Sequence, residues 1–309
     1  MAEGYTDTPE RGGHGQVGHV PVLLKEAIDF LAVRRGGRYI DATVGLGGHS
    51  YEIARRLGAP GHLIGVDKDP AALEIARGVL RPSSDVVGDW PTITLRHASF
   101  AELAKDVGRT TCDGILADLG VSSLQFGDPA RGFSFQAEGP LDMRMNPQAE
   151  LTAEQVVNHF DERKLADVIY EFGEERRSRR IARAIVRSRP ISTTAQLAAA
   201  ISAAARPMKH ERIHPATRTF QALRIFVNHE LDDLRELLKA APQLLKPGGR
   251  LVIISFHSLE DRIVKDALRE GAKQGQYRLL TKKPVTPVQE EMDRNPRSRS
   301  AKLRAAEKV

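Results

Sequence analysis

"DATVGLGGHS", residues 41–50, places Gly45, Gly47 and Gly48 between an aspartate and a histidine, directly after a short apolar run. In an open α/β sheet the first strand-to-helix turn is glycine-rich where backbone N–H groups must approach a ligand. The spacing here is D-x-x-x-G-x-G-G. A dinucleotide fingerprint requires G-x-G-x-x-G and a P-loop ends in Gly-Lys-Ser/Thr, so both a standard NAD site and ATP hydrolysis are disfavoured. The next apolar run, "HLIGVDKD", ends in Asp67, 19 residues beyond Gly48. A carboxylate at that position can accept both hydroxyls of an adenosine ribose. A tight turn and a helix cap would explain either feature alone; on consecutive strands they point together to a nucleoside ligand.

Short β-type runs alternate with helix-length stretches from Gly36 to Gly120, the pattern of a parallel sheet with crossover helices. "RYIDATVG", "HLIGVDKD", "ITLRHASF" and "DGILADLG" read as four strands. "DPAALEIARGVL" reads as a helix with Asp69 at its N-cap and Pro70 at the first helical position. The fourth strand closes on Asp118, a third carboxylate at the same sheet edge, where a catalytic group would meet a cofactor. Capping a following turn is its alternative role.

The fifth strand, "GGRLVIISFHS" (248–258), is delayed by about 130 residues of different character, of which 151–205 read as helical throughout. Capping-box spacings at Thr152/Gln155 and Thr193/Gln196 and a stripe of Leu165, Ile169 and Phe172 mark helices within that stretch. The sequence therefore predicts a doubly wound α/β domain at 19–129 and 218–309, an inserted helical domain at 130–217 and a flexible segment at 1–18. One long helix, "TFQALRIFVNHELDDLRELLKAAPQLL", is read as returning to the sheet, with Leu223, Phe226, Val227 and Leu231 at core spacing. "YRLLTKK" and "SAKLRAAEK" read as a closing strand pair.

The chain of 309 residues carries 46 Lys plus Arg against 40 Asp plus Glu, a net +6 that permits a polyanionic partner. Distribution says more than the sum. Seven arginines fall between Arg176 and Arg189, and Arg294, Arg297, Arg299, Lys302 and Arg304 form a second cluster. Both could face phosphates, or be solvated faces. The single cysteine, Cys112, permits no intrachain disulfide, and no signal-peptide or membrane-length apolar run occurs, so a cytoplasmic protein is expected. No metal site is expected: His210 and His214 are the only suggestive pair, and Pro215 follows them.

Eight motifs carry a resemblance over about residues 19–309: "HVPVLLKEA", "DATVGLGGHS", "GVDKDP", "DGILADLGVSS", "RGFSF" with "GPLDMRM", "HPATRTFQALRIFVNHEL", "SFHSLEDRIVK" and "NPRSRSAKLR". In this order they resemble the bacterial 16S ribosomal RNA cytosine-N4 methyltransferase family, RsmH, formerly MraW. The resemblance implies a class I methyltransferase fold, S-adenosylmethionine as cofactor, and 16S rRNA within the small ribosomal subunit as partner. It implies that Gly47, Gly48 and His49 line the methionine and ribose side of the cofactor, Asp67 takes the ribose hydroxyls, Phe100 lies against the adenine, and Asp118 and Gln125 complete the pocket.

Methyl transfer from a sulfonium depends on holding the nucleophile in line with the S–CH₃ bond. Cytosine's exocyclic nitrogen becomes nucleophilic only when acceptors bond its hydrogens, and Asp118 is the expected acceptor, helped by a backbone carbonyl. The chain has D-L-G-V where many amine methyltransferases have D-P-P-Y, so an aromatic stacking on the target base must come from elsewhere; Phe126, Phe133 and Phe135 are the candidates. His257 is left open between substrate contact and helix cap. A homodimer is compatible with the fold but required by no feature. Two alternatives differ in class: a methyltransferase of a non-RNA substrate, which needs no arginine clusters, and a non-catalytic RNA-binding assembly factor, which does not need Asp118.

Overall fold

Seven strands form one sheet in a computed structural model of the chain, which describes residues 21–82, 87–106, 111–205 and 213–309. The 1–18 segment and His210 lie outside the described residues. The strands are β1 (Arg38–Asp41), β2 (His62–Asp67), β3 (Thr92–His97), β4 (Cys112–Asp118), β5 (Leu245–Ser255), β6 (Tyr277–Leu279) and β7 (Lys302–Lys308). Their order is β3-β2-β1-β4-β5-β7-β6; the first five are parallel, and β7 runs antiparallel to both β5 and β6. The class I methyltransferase expectation, a doubly wound sheet with a closing strand pair, matches this order. Strand order reverses between β1 and β4, and a ligand crevice opens beyond strand ends at such a switch point. Asp41 and Asp118 end those two strands.

Alternation along the strands builds three layers, because successive side chains point to opposite faces. In β4, Ile115 and Ala117 join Ile40, Val66 and Ile253 beneath α10 (Glu230–Leu244) and α11 (Ser258–Lys273). Leu116 faces the other way, with Tyr39, Leu63, Val252 and Ile254, against α1 (Leu24–Leu31) and α2 (Gly48–Leu57). A smaller cluster of Val44, Leu73, Ala76 and Leu80 seats α3 (Pro70–Val79) beside the glycine turn. Cys112 is buried in β4, and burial pushes its thiol up to about 12, so it serves as packing.

A separate hydrophobic core joins Phe133, Leu141 and Met143 to α5 (Ala153–His159), α6 (Glu162–Gly173), α7 (Ser178–Arg187), α8 (Thr194–Ala204) and α9 (Thr217–Asn228). Thr152 and Thr193 cap α5 and α8 through reciprocal bonds with Gln155 and Gln196. Asp69 caps α3, with Pro70 in its first turn.

The long helix read across 219–245 is two helices. His229 adopts a left-handed conformation, φ 53°, between α9 and α10. The break lets one apolar stripe serve two cores: Leu223 and Val227 pack in the helical core, whereas Leu234 and Leu237 pack on the sheet. Arg224 bridges it, donating from Nε and Nη2 to the two carboxylate oxygens of Glu230 at 2.8 and 2.9 Å.

Candidate functional site

A cleft lies at the C-terminal strand ends, where the glycine turn, Asp67, Asp118 and Glu260 share one wall. The turn is held open by its own hydrogen bonds. Gly45 N–H donates to Asp67 Oδ2 at 2.7 Å, and Asp69 N–H donates to Asp67 Oδ1 at 2.8 Å. Burial still outweighs these bonds and raises the Asp67 carboxyl above its ordinary value. Each oxygen retains lone-pair capacity for a ligand hydroxyl.

The glycines have unequal surroundings. Gly45 and Gly48 line the cleft, and a Cβ on Gly47 between them would lie 3.3 Å from the Ala76 Cα. The Gly47 φ of 89° starts α2 without a side-chain cap. The positive end of that helix therefore stands at the cleft wall, suited to an anionic group. A Cβ on Gly48 would lie 2.3 Å from Pro21 Cγ, so only glycine fits between the helix and the segment that precedes α1.

Buried His49 keeps Nε2 within 3.1 Å of the Val22 carbonyl and turns Nδ1 toward Asp118, 3.7 Å from Oδ2. Thr43 Oγ1 accepts from the Asp118 N–H at 2.6 Å and fixes the strand end. The carboxylate itself is under-satisfied: Oδ1 is shielded from solvent and has no hydrogen-bond partner among the described residues. Burial, then the nearby charges of Asp41 and Glu260, hold its carboxyl well above the usual range. Asp41 does not line the cleft; it accepts from Ser50 Oγ at 2.6 Å and Thr43 N–H at 3.1 Å, and burial lifts its carboxyl to about 6.

Phe100 and Gln125 also line the cleft. Gln125 is already engaged, accepting from Ser122 N–H at 2.9 Å and donating to Asp69 Oδ2 at 2.9 Å, so it positions α4 (Ser123–Gly127). Arg131 donates to the same Asp69 oxygen at 2.9 Å. Of the three aromatics proposed for stacking, Phe133 is buried in the helical core and Phe135 stacks on His214 with centroids 4.6 Å apart. Phe126 alone of the three is exposed, at 37%.

Several wall residues were missed: Phe256, Glu230, Glu260, Asn295 and Arg297. They reach the cleft from segments remote in sequence. The one available signal was "SFHSLED", a strand end with Glu260 three residues past an N-cap. His257 is that cap: its Nδ1 accepts from Glu260 N–H, and its Nε2 lies 3.1 Å from Glu260 Oε1. Burial opposes the charge of Glu260, but His257, Arg224 and the Phe256 N–H together hold its carboxyl below the ordinary value.

The basic clusters divide. Arg176, Arg179, Arg180, Arg183 and Arg187 are exposed, whereas Arg177 bonds Glu175, and Arg189 donates to the carbonyls of Val157 and Phe160. In the second cluster, Arg304 and Lys302 both bind Asp261, at 2.7 and 3.3 Å, and Arg304 is buried. Those two pair β7 with α11, and Arg294, Arg297 and Arg299 are the exposed members of the cluster.

A family model described as the MraW methylase family matches residues 16–309. The ribosomal RNA small subunit methyltransferase H of Koribacter versatilis is 71% identical over 301 residues, covering 96% of each chain. The protein of the same name from Acidobacterium capsulatum is 65% identical over 291 residues, covering 94% of this chain and 98% of its own. That from Synechococcus elongatus is 51% identical over 292 residues, covering 94% and 95%.

Proposed function

The chain belongs to the MraW methylase family, and we propose that its cleft presents the N4 amine of a 16S rRNA cytosine to S-adenosylmethionine, with Asp118 as the acceptor. The enzyme is an S-adenosylmethionine-dependent methyltransferase of small-subunit ribosomal RNA. We infer further that its target is a cytosine N4 in the decoding region of a cytoplasmic small subunit.

The wall residues fit the cofactor by the chemistry of their donors and acceptors. Asp67 offers carboxylate oxygens to ribose hydroxyls, the uncapped start of α2 offers N–H groups and a positive dipole to a carboxylate, and Phe100 offers an apolar face to adenine. When bound, S-adenosylmethionine supplies an electrophilic methyl group on a sulfonium. The residues of the chain supply position and proton acceptance.

The observation that carries the reading is the orphaned Oδ1 of Asp118 at the central strand end. An oxygen shut off from water without a donor is costly unless a ligand provides one. A cytosine N4–H entering on the open side of the carboxylate, whose side chain is 21% exposed, would provide one. Accepting that hydrogen draws the nitrogen lone pair out of conjugation with the ring, and as N4 becomes methylated the proton passes to Asp118. The neighbours that hinder ionisation of Asp118, Asp41 and Glu260, also make its ionised form a stronger base. A cationic sulfonium nearby favours the ionised form.

Two variants test the assignment. Asp118→Asn is expected to lower methyl transfer by at least about a hundredfold while cofactor affinity stays within a few fold. Asp67→Ala is expected to weaken cofactor binding, read by calorimetric titration. Transfer surviving in the first variant would remove Asp118 from the role of acceptor.

A further inference from the structure

The cleft wall carries four carboxylates, Asp67, Asp118, Glu230 and Glu260, and two long cationic side chains, Lys68 and Arg297. Most are committed. Lys68 pairs with Asp233 and donates to the Asn228 carbonyl, Glu230 holds Arg224, and Glu260 holds His257. Arg297 differs: its guanidinium stands over the Phe126 ring, 5.3 Å from the centroid, and makes no hydrogen bond or ion pair among the described residues. An unpaired guanidinium on an acidic wall is the property of this cleft that cofactor binding, as assigned above, leaves unused.

The backbone of Arg297 is firmly placed, and its side chain is exposed. It sits in a short 3-10 turn, Pro296–Ser300, where Asn295 accepts from its backbone N–H at 3.3 Å and buried Ser298 donates to the Asn295 carbonyl at 2.8 Å. The preceding helix, α12 (Gln289–Arg294), is tied to the wall by Glu291, which accepts from Leu23 N–H at 2.8 Å. The Phe126 face orients the planar guanidinium, so little side-chain freedom is lost when it binds.

Cytosine presents the N4 amine, a donor, beside two acceptors, N3 and O2. A site that recognises it must set an acceptor against N4 and donors against N3 and O2. Asp118 supplies the acceptor, and a guanidinium is a rigid fork of N–H donors with no acceptor of its own. Uracil presents O4 and N3–H at the same edge, and would meet both groups with the wrong polarity. Resting on the reading of the substrate as a cytosine, we propose that Arg297, held against Phe126, reads the N3/O2 edge of the target base and sets its N4 toward Asp118.

Single-turnover methylation of small subunits from a strain lacking the enzyme, at saturating S-adenosylmethionine, tests this. Wild-type enzyme comes first: if it does not methylate cytosine, the reading of the substrate fails whatever Arg297 does. With active wild type, Arg297→Ala and Arg297→Lys are both expected to lose about tenfold or more in rate, the scale of one bidentate base contact. Cofactor affinity should stay within about twofold, and the salt dependence of subunit binding should keep its slope, because no phosphate contact is removed. Phe126→Leu should give a smaller loss in the same direction. A wild-type rate in Arg297→Ala, or a matching loss of cofactor affinity, overturns the proposal. So does rescue by lysine together with a salt slope reduced by about one, which would make Arg297 a phosphate grip instead.

Discussion

Asp41 and Asp118 end adjacent strands, and the pair ties pH to both stability and rate. Burial raises the Asp41 carboxyl from 3.8 to about 6, so the folded state holds this proton more tightly than the unfolded chain does. Its contribution is fully present below the unfolded value and is lost as pH rises through 6. By linkage the loss amounts to about 3 kcal/mol. Asp41→Asn should therefore gain stability relative to wild type by that order between pH 4 and 7, read by denaturant unfolding at each pH; a constant difference would show that Asp41 does not titrate there. The same variant removes a charge that raises Asp118, so the acid limb of methyl transfer should move to lower pH. At this scale Asp67 and Asp118 were legible because parallel strands gather their last residues at one edge. Glu230, Glu260 and Arg297 were not, because nothing in local spacing shows which distant segment folds over that edge.

Elements were legible where a local rule ends them. The caps at Asp69, Thr152 and Thr193 satisfy N–H groups of their own helices, so spacing alone reveals them. The break at His229 left no such trace: the stripe Leu223, Val227, Leu231, Leu234 keeps helical spacing through it, and no glycine marks the left-handed residue. Periodicity reports that a face is apolar, not which core it meets. The glycine turn is similar, since the motif is read as a unit while a Cβ at each of its three glycines would meet different neighbours. Two alanine substitutions separate glycine required by contact from glycine merely tolerated. Gly48→Ala forces a Cβ into Pro21 and should weaken S-adenosylmethionine binding about tenfold or more, measured by calorimetry. Gly78→Ala, in α3 with nothing within 4 Å of the new Cβ, should raise stability by about 0.5–1 kcal/mol. Equal effects of the two on cofactor binding would contradict the assigned geometry.

Across the whole molecule, a modest net charge of +6 conceals a local asymmetry. Five arginines on or beside α7 are exposed, while Lys302 and Arg304 of the second cluster bind Asp261 within the fold. Charge counting could not separate these cases, because β7 is read as a strand without its partner helix. If the α7 face meets RNA phosphates, Arg179→Glu with Arg180→Glu should weaken subunit binding and reduce its salt slope by about two, with cofactor affinity unchanged. An unchanged slope would move the RNA path off this helix. The parallel sheet and its closing pair were legible from the alternation of strands and helices; the helical core reaching to Val227 was not, since α9 reads as a sheet-packing helix until its contacts are known. On the proposed reading, a cytosine amine set against Asp118 at the strand switch point receives the methyl group. The most direct measurement is to incubate the protein with labelled S-adenosylmethionine and small subunits from a strain lacking the enzyme, digest the 16S rRNA to nucleosides and locate the label by mass spectrometry. Label on N4 of a single cytosine is the predicted result; label on a ring carbon or a ribose, or none in the RNA, would contradict it.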